Sequence, residues 1–312
     1  MKENKIQKWQ LQQRQKLPLS IKVALTKKKL QTFFEITKGK MYVAYSGGKD
    51  SEVLKHIVKS IYPQIKTIFV DTGTEIETRD HAIKYSDIVL KPKISMLEIW
   101  KKYGLPFPSK QQAKFIYDYK HSKSEPFKHK LLTGITVKEK KQTPYKIAEK
   151  WKKLIDCEIN VSDRCCHYLK REPFIRYEKQ AKEYPIIGTM ATDSSQRKAV
   201  YLQHGCINTK KISCTPLGFW TEQDILNYLV INKINYCKAY GDIIKKEGLF
   251  KTTKAQRTGC VGCLFGIHLE KKPNRLQRLY KDNYKLWDII VNKWVDGKIK
   301  KLLDLCSVSY KP

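Results

Sequence analysis

The sequence predicts an α/β fold built on a mostly parallel sheet flanked by helices, with a smaller helical region towards the C-terminus. Three observations carry this prediction. Short apolar runs of strand length recur at 41–45, 66–70, 87–90 and 184–189. Helix-spaced apolar residues separate them, which implies βαβ units and parallel pairing through crossovers. The runs at 41, 66 and 184 each end in a loop of small residues containing glycine, and ligands in such sheets sit beyond the carboxyl ends of the strands.

Taken in order, residues 1–40 are rich in lysine and glutamine, with helical spacing around Ile21, Val23, Leu25 and Leu30, and read as a basic helical extension. Met41 to Tyr45 form the first strand, and Val53, Leu54, Ile57, Val58 and Ile61 fall on one face of the helix that follows. Lys66 to Val70 form a second strand, ended by Asp71-Thr72-Gly73; a helix closes at His81 to Tyr85, and Asp87 to Leu90 make a third strand. The lysine-rich stretch of about 104–160 reads as an insertion of helices and loops. Tyr184 to Thr189 supply a further strand, and Thr221-Glu222-Gln223-Asp224 start a helix with capping chemistry. The expected domains are the extension 1–40, a nucleotide-binding α/β domain 41–225, and a helical C-terminal region 226–312.

Ser46-Gly47-Gly48-Lys49-Asp50-Ser51 carries the strongest chemical signal. A strand that feeds a glycine-bearing turn into a helix gathers backbone N–H groups, the positive helix end and a lysine around one anionic site. A Cβ would keep the backbone away from phosphate oxygens and would penalise positive φ. The pattern is not the other common phosphate cradle, G-x-x-x-x-G-K-[ST].

This loop resembles the PP-loop of the ATP pyrophosphatase superfamily, and later residues resemble its phosphoadenosine phosphosulfate (PAPS) reductase-like branch. The resemblance implies an adenine-nucleotide α-hydrolase-like (HUP) sheet and cleavage of ATP to AMP and pyrophosphate with Mg²⁺. It implies that Ser46, Gly47, Gly48 and Ser51 hold phosphates, that Lys49 adds positive charge, and that Asp50 helps to place Mg²⁺ or orient the loop. Asp71-Thr72-Gly73 resembles the second nucleotide loop, whose backbone approaches adenosine. Gly188-Thr189-Met190-Ala191 with Asp193-Ser194-Ser195-Gln196-Arg197 resembles the Gly-x-x-Ala-x-Glu-Ser-x-x-Arg element, the glutamate being replaced by Ser194 or shifted to Asp193. Arg197 is then a phosphate ligand, since its planar fork suits a bidentate contact. Trp220, after Pro216-Leu217 and before Thr221, fits the family's Trp-(Thr/Ser)-x-x-Asp helix start.

Cysteines form a second constellation. Cys165-Cys166 precedes His167 to Pro173, and Cys260-Val261-Gly262-Cys263 lies within Arg257 to Gly266. Two pairs of thiolates make a four-sulfur set that suits either Zn²⁺ or an iron–sulfur cluster. Neighbouring helical residues point about 100° apart, which is awkward for one tetrahedral ion and easier for a cubane with separate iron corners. The glycines around the second pair supply N–H groups able to bond cluster sulfurs. The pattern also resembles the 4Fe–4S site of adenylylsulfate reductases and of PP-loop proteins that install sulfur in nucleic acids, and that resemblance singles out Lys170. Cys157, Cys206, Cys214, Cys237 and Cys306 lack such spacing and read as buried small hydrophobes, with a persulfide role open for one of them.

Composition bounds the partners. Lys+Arg number 62 against 30 Asp+Glu, a formal charge of +32. Lysine-inflating codon usage would raise glutamate as well, and acids are scarce here. Basic residues also interleave with aromatics at 114–120 and 280–285, which points to a polyanionic partner, DNA or RNA, tRNA included. No apolar run approaches the ~20 residues of a membrane span, and Met1 to Lys5 lack an apolar signal core, so a cytoplasmic protein with reduced or metal-bound cysteines is expected.

Three functions compete. The intact loop, the four cysteines and the basic surface all find a use in ATP-dependent activation of a nucleic acid for sulfur insertion, of the DNA phosphorothioation or tRNA thiolation type, fed by a sulfur donor such as a cysteine desulfurase. Sulfonucleotide reduction needs a mobile Glu-Cys-Gly-(Leu/Ile)-His cysteine; Leu305-Cys306-Ser307 does not match it, and Gly266-Ile267-His268 echoes only its end. A non-catalytic nucleotide- and nucleic-acid-binding module is the third. The oligomeric state is not legible.

Overall fold

A computed structural model describes residues 5–312; Met1–Asn4, and the targeting reading that rests on them, lie outside the described residues. The chain forms two compact units, one of Met1–Lys91 with Pro173–Gly259 and one of Pro92–Glu172 with Cys260–Pro312.

The first unit holds a six-stranded sheet in the order β3-β2-β1-β4-β6-β5. Its strands are β1 (Met41–Tyr45), β2 (Thr67–Val70), β3 (Ile88–Leu90), β4 (Tyr184–Ile187), β5 (Ile207–Asn208) and β6 (Ser213–Cys214). β1 pairs in parallel with β2 on one side and β4 on the other, β3 and β6 continue the parallel run, and only β5 is antiparallel. The helices Lys49–Ile61 and Ile76–Lys84 are the expected crossovers. Val53, Leu54, Ile57 and Val58 are fully buried, which is what their spacing predicts.

The N-terminal stretch does not stand apart as an extension. Its helices, Lys8–Lys16 and Leu19–Thr37, place Leu11, Leu30 and Phe33 in the same core as Val53 and Leu54. Lys22, buried, is held by Asp224 Oδ2 at 2.6 Å and the Gln15 carbonyl at 2.7 Å. Trp220 donates from Nε1 to Thr26 Oγ1 at 2.9 Å, and Thr221 caps the helix Glu222–Ile231 reciprocally with Asp224.

The second unit shows why contiguous boundaries at 40 and 225 do not describe the chain. The ends of the lysine-rich insertion close on each other: Leu105 N–H donates to Asn160 O at 2.8 Å, and Leu105 bridges Val161. Phe107, Leu131 and Trp151 from the insertion share one core with Trp287, Ile290 and Leu302 from the C-terminal segment. Apolar residues nearly two hundred positions apart therefore define the unit, a pairing that no local pattern reveals. The helical C-terminal region also includes, after the helix Glu222–Ile231, an antiparallel hairpin in the first unit, β7 (Ile243–Lys246) and β8 (Leu249–Thr252). Glu247 and Gly248 turn it at φ 54° and 78°, the positive values that a tight hairpin turn requires.

Candidate nucleotide and cysteine sites

β1 and β2 run in register, Tyr45 beside Phe69, so their following loops leave the sheet as neighbours. Gly47 has φ +70°, and a Cβ there would lie 2.9 Å from Ala82 Cβ and 3.0 Å from the Thr78 carbonyl. Only glycine fits that turn. Two serines brace it: Ser46 N–H donates to Ser51 Oγ at 3.3 Å, and Ser51 Oγ donates to the Gly48 carbonyl at 2.8 Å. After β4, a Cβ on Gly188 would stand 3.1 Å from the Asp50 carbonyl, so this strand end passes directly against the first turn of the helix Lys49–Ile61.

Asp50 is the most unusual group of the site. Its Oδ1 is buried with no hydrogen-bond partner. Burial pushes its carboxyl up to about 6, with Lys49 opposing the rise and Asp193 and Glu222 adding to it. Lys49 is buried beside it; its ammonium pairs with Glu222 Oε1 at 2.9 Å, bonds the Gln256 carbonyl and lies 5.1 Å from the Tyr240 ring centroid.

Arg197 follows Ser194, which caps the helix Ser195–His204 by accepting from Arg197 N–H at 3.2 Å. The carboxylate of this element is therefore Asp193, ion-paired to Arg197 and held by Met190 N–H at 2.8 Å. Arg257 approaches the same carboxylate at 3.7 Å, and its charge is felt at Asp50. A cavity of about 310 Å³ opens beside this element, lined by Leu11, Gln15, Thr192, Ser195 and Lys198.

The second loop is built around an ion pair. Arg79 grips Asp71 with Nε and a terminal nitrogen, both at 2.7 Å, and Gly73 N–H adds a bond at 3.0 Å. The Arg79 bonds hold the Asp71 carboxyl below its usual range. Thr72 and Thr74 hydroxyls join at 2.8 Å, which leaves the Gly73 surroundings open. Beneath both loops, Glu52 is buried yet accepts from His81 Nε2 at 2.6 Å, Lys55 at 2.7 Å and the Tyr45 hydroxyl. Burial would raise its carboxyl, but these bonds together keep it lowered.

The first unit thus unites Ser46, Gly47, Gly48, Lys49, Asp50, Ser51 and Gly188 by contact, Arg197 through Asp193, and Asp71, Thr72 and Gly73 on the neighbouring strand end. Sequence reasoning did not assign Glu222, Tyr240 or Arg257 to it. Arg257 was visible only as a flank of the cysteine motif, and Tyr240, whose hydroxyl accepts from Lys49 N–H at 3.4 Å, carries no motif.

In the second unit, Cys165 and Cys166 end the short helix Arg164–Cys166, and the chain continues through a widened π-type turn at His167–Arg171. Burial pushes the Cys165 thiol up to about 12, and Cys166, Cys260 and Cys263 raise it further, so all four sulfurs lie within electrostatic reach. The buried indole N–H of Trp100 favours the anionic form of Cys165. Cys263 is likewise raised by burial, while the Phe265 N–H and Arg275 act to lower it. Gly262, at φ +71°, packs where a Cβ would meet the Trp294 ring at 2.7 Å. Arg275, which sequence reasoning also missed, bolts this loop by donating to the Cys263 carbonyl at 3.0 Å and the Phe265 carbonyl at 3.3 Å. Among the described residues, no three His, Cys, Asp or Glu side chains are grouped as the shell of a single metal ion. No helix among them is long and apolar enough to cross a membrane.

Comparison with known proteins agrees with the geometry of the first unit. The chain is 24% identical over 273 residues to an uncharacterized protein of Methanocaldococcus jannaschii, covering 86% of this chain. It spans 50% of that relative's length, so the relative carries a comparable stretch beyond the match. Residues 40–104 and 110–263 match the phosphoadenosine phosphosulfate reductase domain, a span that takes in the loop Ser46–Ser51, Arg197 and both cysteine pairs. The chain belongs to the phosphoadenosine phosphosulfate reductase domain family.

Proposed function

We propose that this protein binds ATP with Mg²⁺ at Ser46–Ser51, releases pyrophosphate, and thereby activates an oxygen of a nucleic acid for replacement by sulfur, as in DNA phosphorothioation or tRNA thiolation. The observation that carries the reading is the buried, unpartnered Asp50 Oδ1 in the first turn of a glycine-cradled helix, flanked by Lys49. A buried polar atom without a partner is costly unless a ligand supplies one. Asp50 would hold a divalent cation, which would offset charge on the leaving pyrophosphate.

In this scheme the loop N–H groups and both serines orient the phosphates. Lys49 exchanges Glu222 for phosphate, and Arg197 and Arg257 supply cationic forks from the Asp193 carboxylate. Asp71, Thr72 and Gly73 line the nucleoside side. The acceptor oxygen takes the adenylyl group and pyrophosphate leaves with its electron pair; the outer sulfur of a donor persulfide, such as a cysteine desulfurase carries, then displaces AMP, and a second thiol of the donor cleaves the remaining S–S bond, closing a disulfide on the donor.

For the second unit the same reading takes Cys165, Cys166, Cys260 and Cys263 as holders of a 4Fe–4S cluster; the electrostatic influence of the other three cysteines on Cys165, the Trp100 N–H that favours its anionic form and the Phe265 N–H that acts on Cys263 support it. Zn²⁺ is the alternative occupant. When bound, such a cluster would supply sulfur or electrons; the chain itself contributes the anion-stabilising donors.

Sulfonucleotide reduction is the second reading, favoured by the name of the matching domain. Cys306 is a poor nucleophile for it, since burial pushes its thiol up to about 11. The two readings separate in one assay series on anaerobically purified protein. Pyrophosphate release from ATP and Mg²⁺ that depends on DNA or RNA supports the first. Sulfite from PAPS or adenylyl sulfate without ATP would sink it, and neither product would leave a binding module.

A further inference from the structure

The second unit carries an aromatic stack that the proposed chemistry leaves unused. The rings of Tyr284 and Trp287 lie 5.6 Å apart at 25°, and those of Trp287 and Tyr310 lie 6.2 Å apart at 23°. Tyr280 braces the stack edge-on, 5.2 Å from Tyr284 and 4.8 Å from Trp287. The interior of the stack is rigidly held. Trp287 is 1% exposed and donates from Nε1 to the Tyr310 carbonyl at 3.0 Å. Asn274 and Gln277 side chains fasten the tail through the Ser309 and Lys311 carbonyls at 2.6 and 2.7 Å.

Its outer member is different. Tyr284 is 56% exposed, an unusual position for a ring already aligned in a stack. Exposed Lys281 and Lys285 flank it in sequence, with Asp282 the one exposed acid between them, and the Lys311 ammonium lies 5.7 Å from the ring centroid of Trp287, the next ring of the stack. A pre-ordered ring loses little freedom when a further flat ring lies on it, and a cationic rim neutralises phosphates on either side of that ring. Bases within a duplex already stack on each other and cannot use such a face; unpaired bases can.

We propose that Tyr284 is the landing face for an unpaired base of a single-stranded nucleic acid, with Lys281 and Lys285 on the flanking phosphates. The proposal rests on the reading above that the partner is a nucleic acid. The test measures anisotropy of three fluorescein-labelled probes at low salt: a single-stranded oligonucleotide, its duplex, and an abasic strand of equal length. Tyr284→Ala is expected to weaken the base-bearing single strand about five- to hundredfold, the range that base–aromatic stacking supplies. It should leave duplex and abasic affinity unchanged, while Tyr284→Phe binds like the wild type and Lys281→Ala weakens all three probes alike. Tyr284→Leu keeps the apolar contact with Trp287 and should lose affinity as the alanine variant does, which separates stacking from folding. Wild-type binding that is indifferent to Tyr284→Ala and Tyr284→Leu, or an equal loss on the abasic strand, overturns the platform and leaves the nucleic-acid reading intact. Failure of the wild type to bind any probe overturns both.

Discussion

A carboxylate buried with one oxygen unpartnered is held against its own solvation, and Asp50 is such a group. Its carboxyl moves from 3.8 to about 6 because burial disfavours the charge. The sign follows from proton binding: between these values the folded chain holds a proton that the unfolded chain has lost, so stability falls as pH rises from about 4 to 6 and stays lower above. Asp50→Asn should therefore stabilise the ligand-free protein at pH 7, by up to about 3 kcal/mol, with the gain closing towards pH 4 in denaturant titrations. A gain that is equal at both pH values would contradict the buried charge. Lys22 poses the opposite case, a buried ammonium whose partner is present. Asp224→Ala removes that partner and one half of a capping box, and should cost about 3–5 kcal/mol. Replacing Lys22 by Met in the same background should recover much of the loss, since no buried charge then remains.

Elements were legible wherever local periodicity and capping decide them. Met41–Tyr45, the buried face of Lys49–Ile61 and the Thr221 cap all appear where the sequence puts them, because each is set by residues within four positions. The turn at Gly47 was equally legible, since its glycines and the flanking strand and helix are contiguous. What sets Arg257 against Asp193 is a separation of 64 residues, and Tyr240 meets Lys49 across 191; neither leaves a local trace. The closure of the lysine-rich insertion was hidden for the same reason. It hinges on Gly104, at φ +106°, where a Cβ would lie 2.4 Å from the Asn160 carbonyl carbon. Gly104→Ala should cost about 3 kcal/mol or more and displace the segment leading to Cys165. A melting temperature equal to wild type would show that the insertion closes otherwise.

At the scale of the whole molecule, the proposal gives each unit its own chemistry: a glycine-turned loop with a buried acid in one, and four thiols with anion-favouring donors in the other. The excess of +32 suits a partner that is itself a polyanion, and its contribution should appear as a steep fall in nucleic-acid affinity with salt. The family could be read from Ser46–Ser51 and the paired cysteines alone, whereas the interleaving of the units could not, because it depends on which apolar faces meet. The central claim is that the cradle turns over ATP. Pyrophosphate release from ATP and Mg²⁺, measured with and without DNA or tRNA on wild type and Asp50→Ala, tests it most directly. The account predicts nucleic-acid-stimulated release that Asp50→Ala lowers by at least about a hundredfold, the cost expected when an electrostatic catalytic group is removed, with nucleic-acid affinity unchanged. Sulfite release from an adenylyl sulfate without ATP, and no pyrophosphate under any of these conditions, would contradict it.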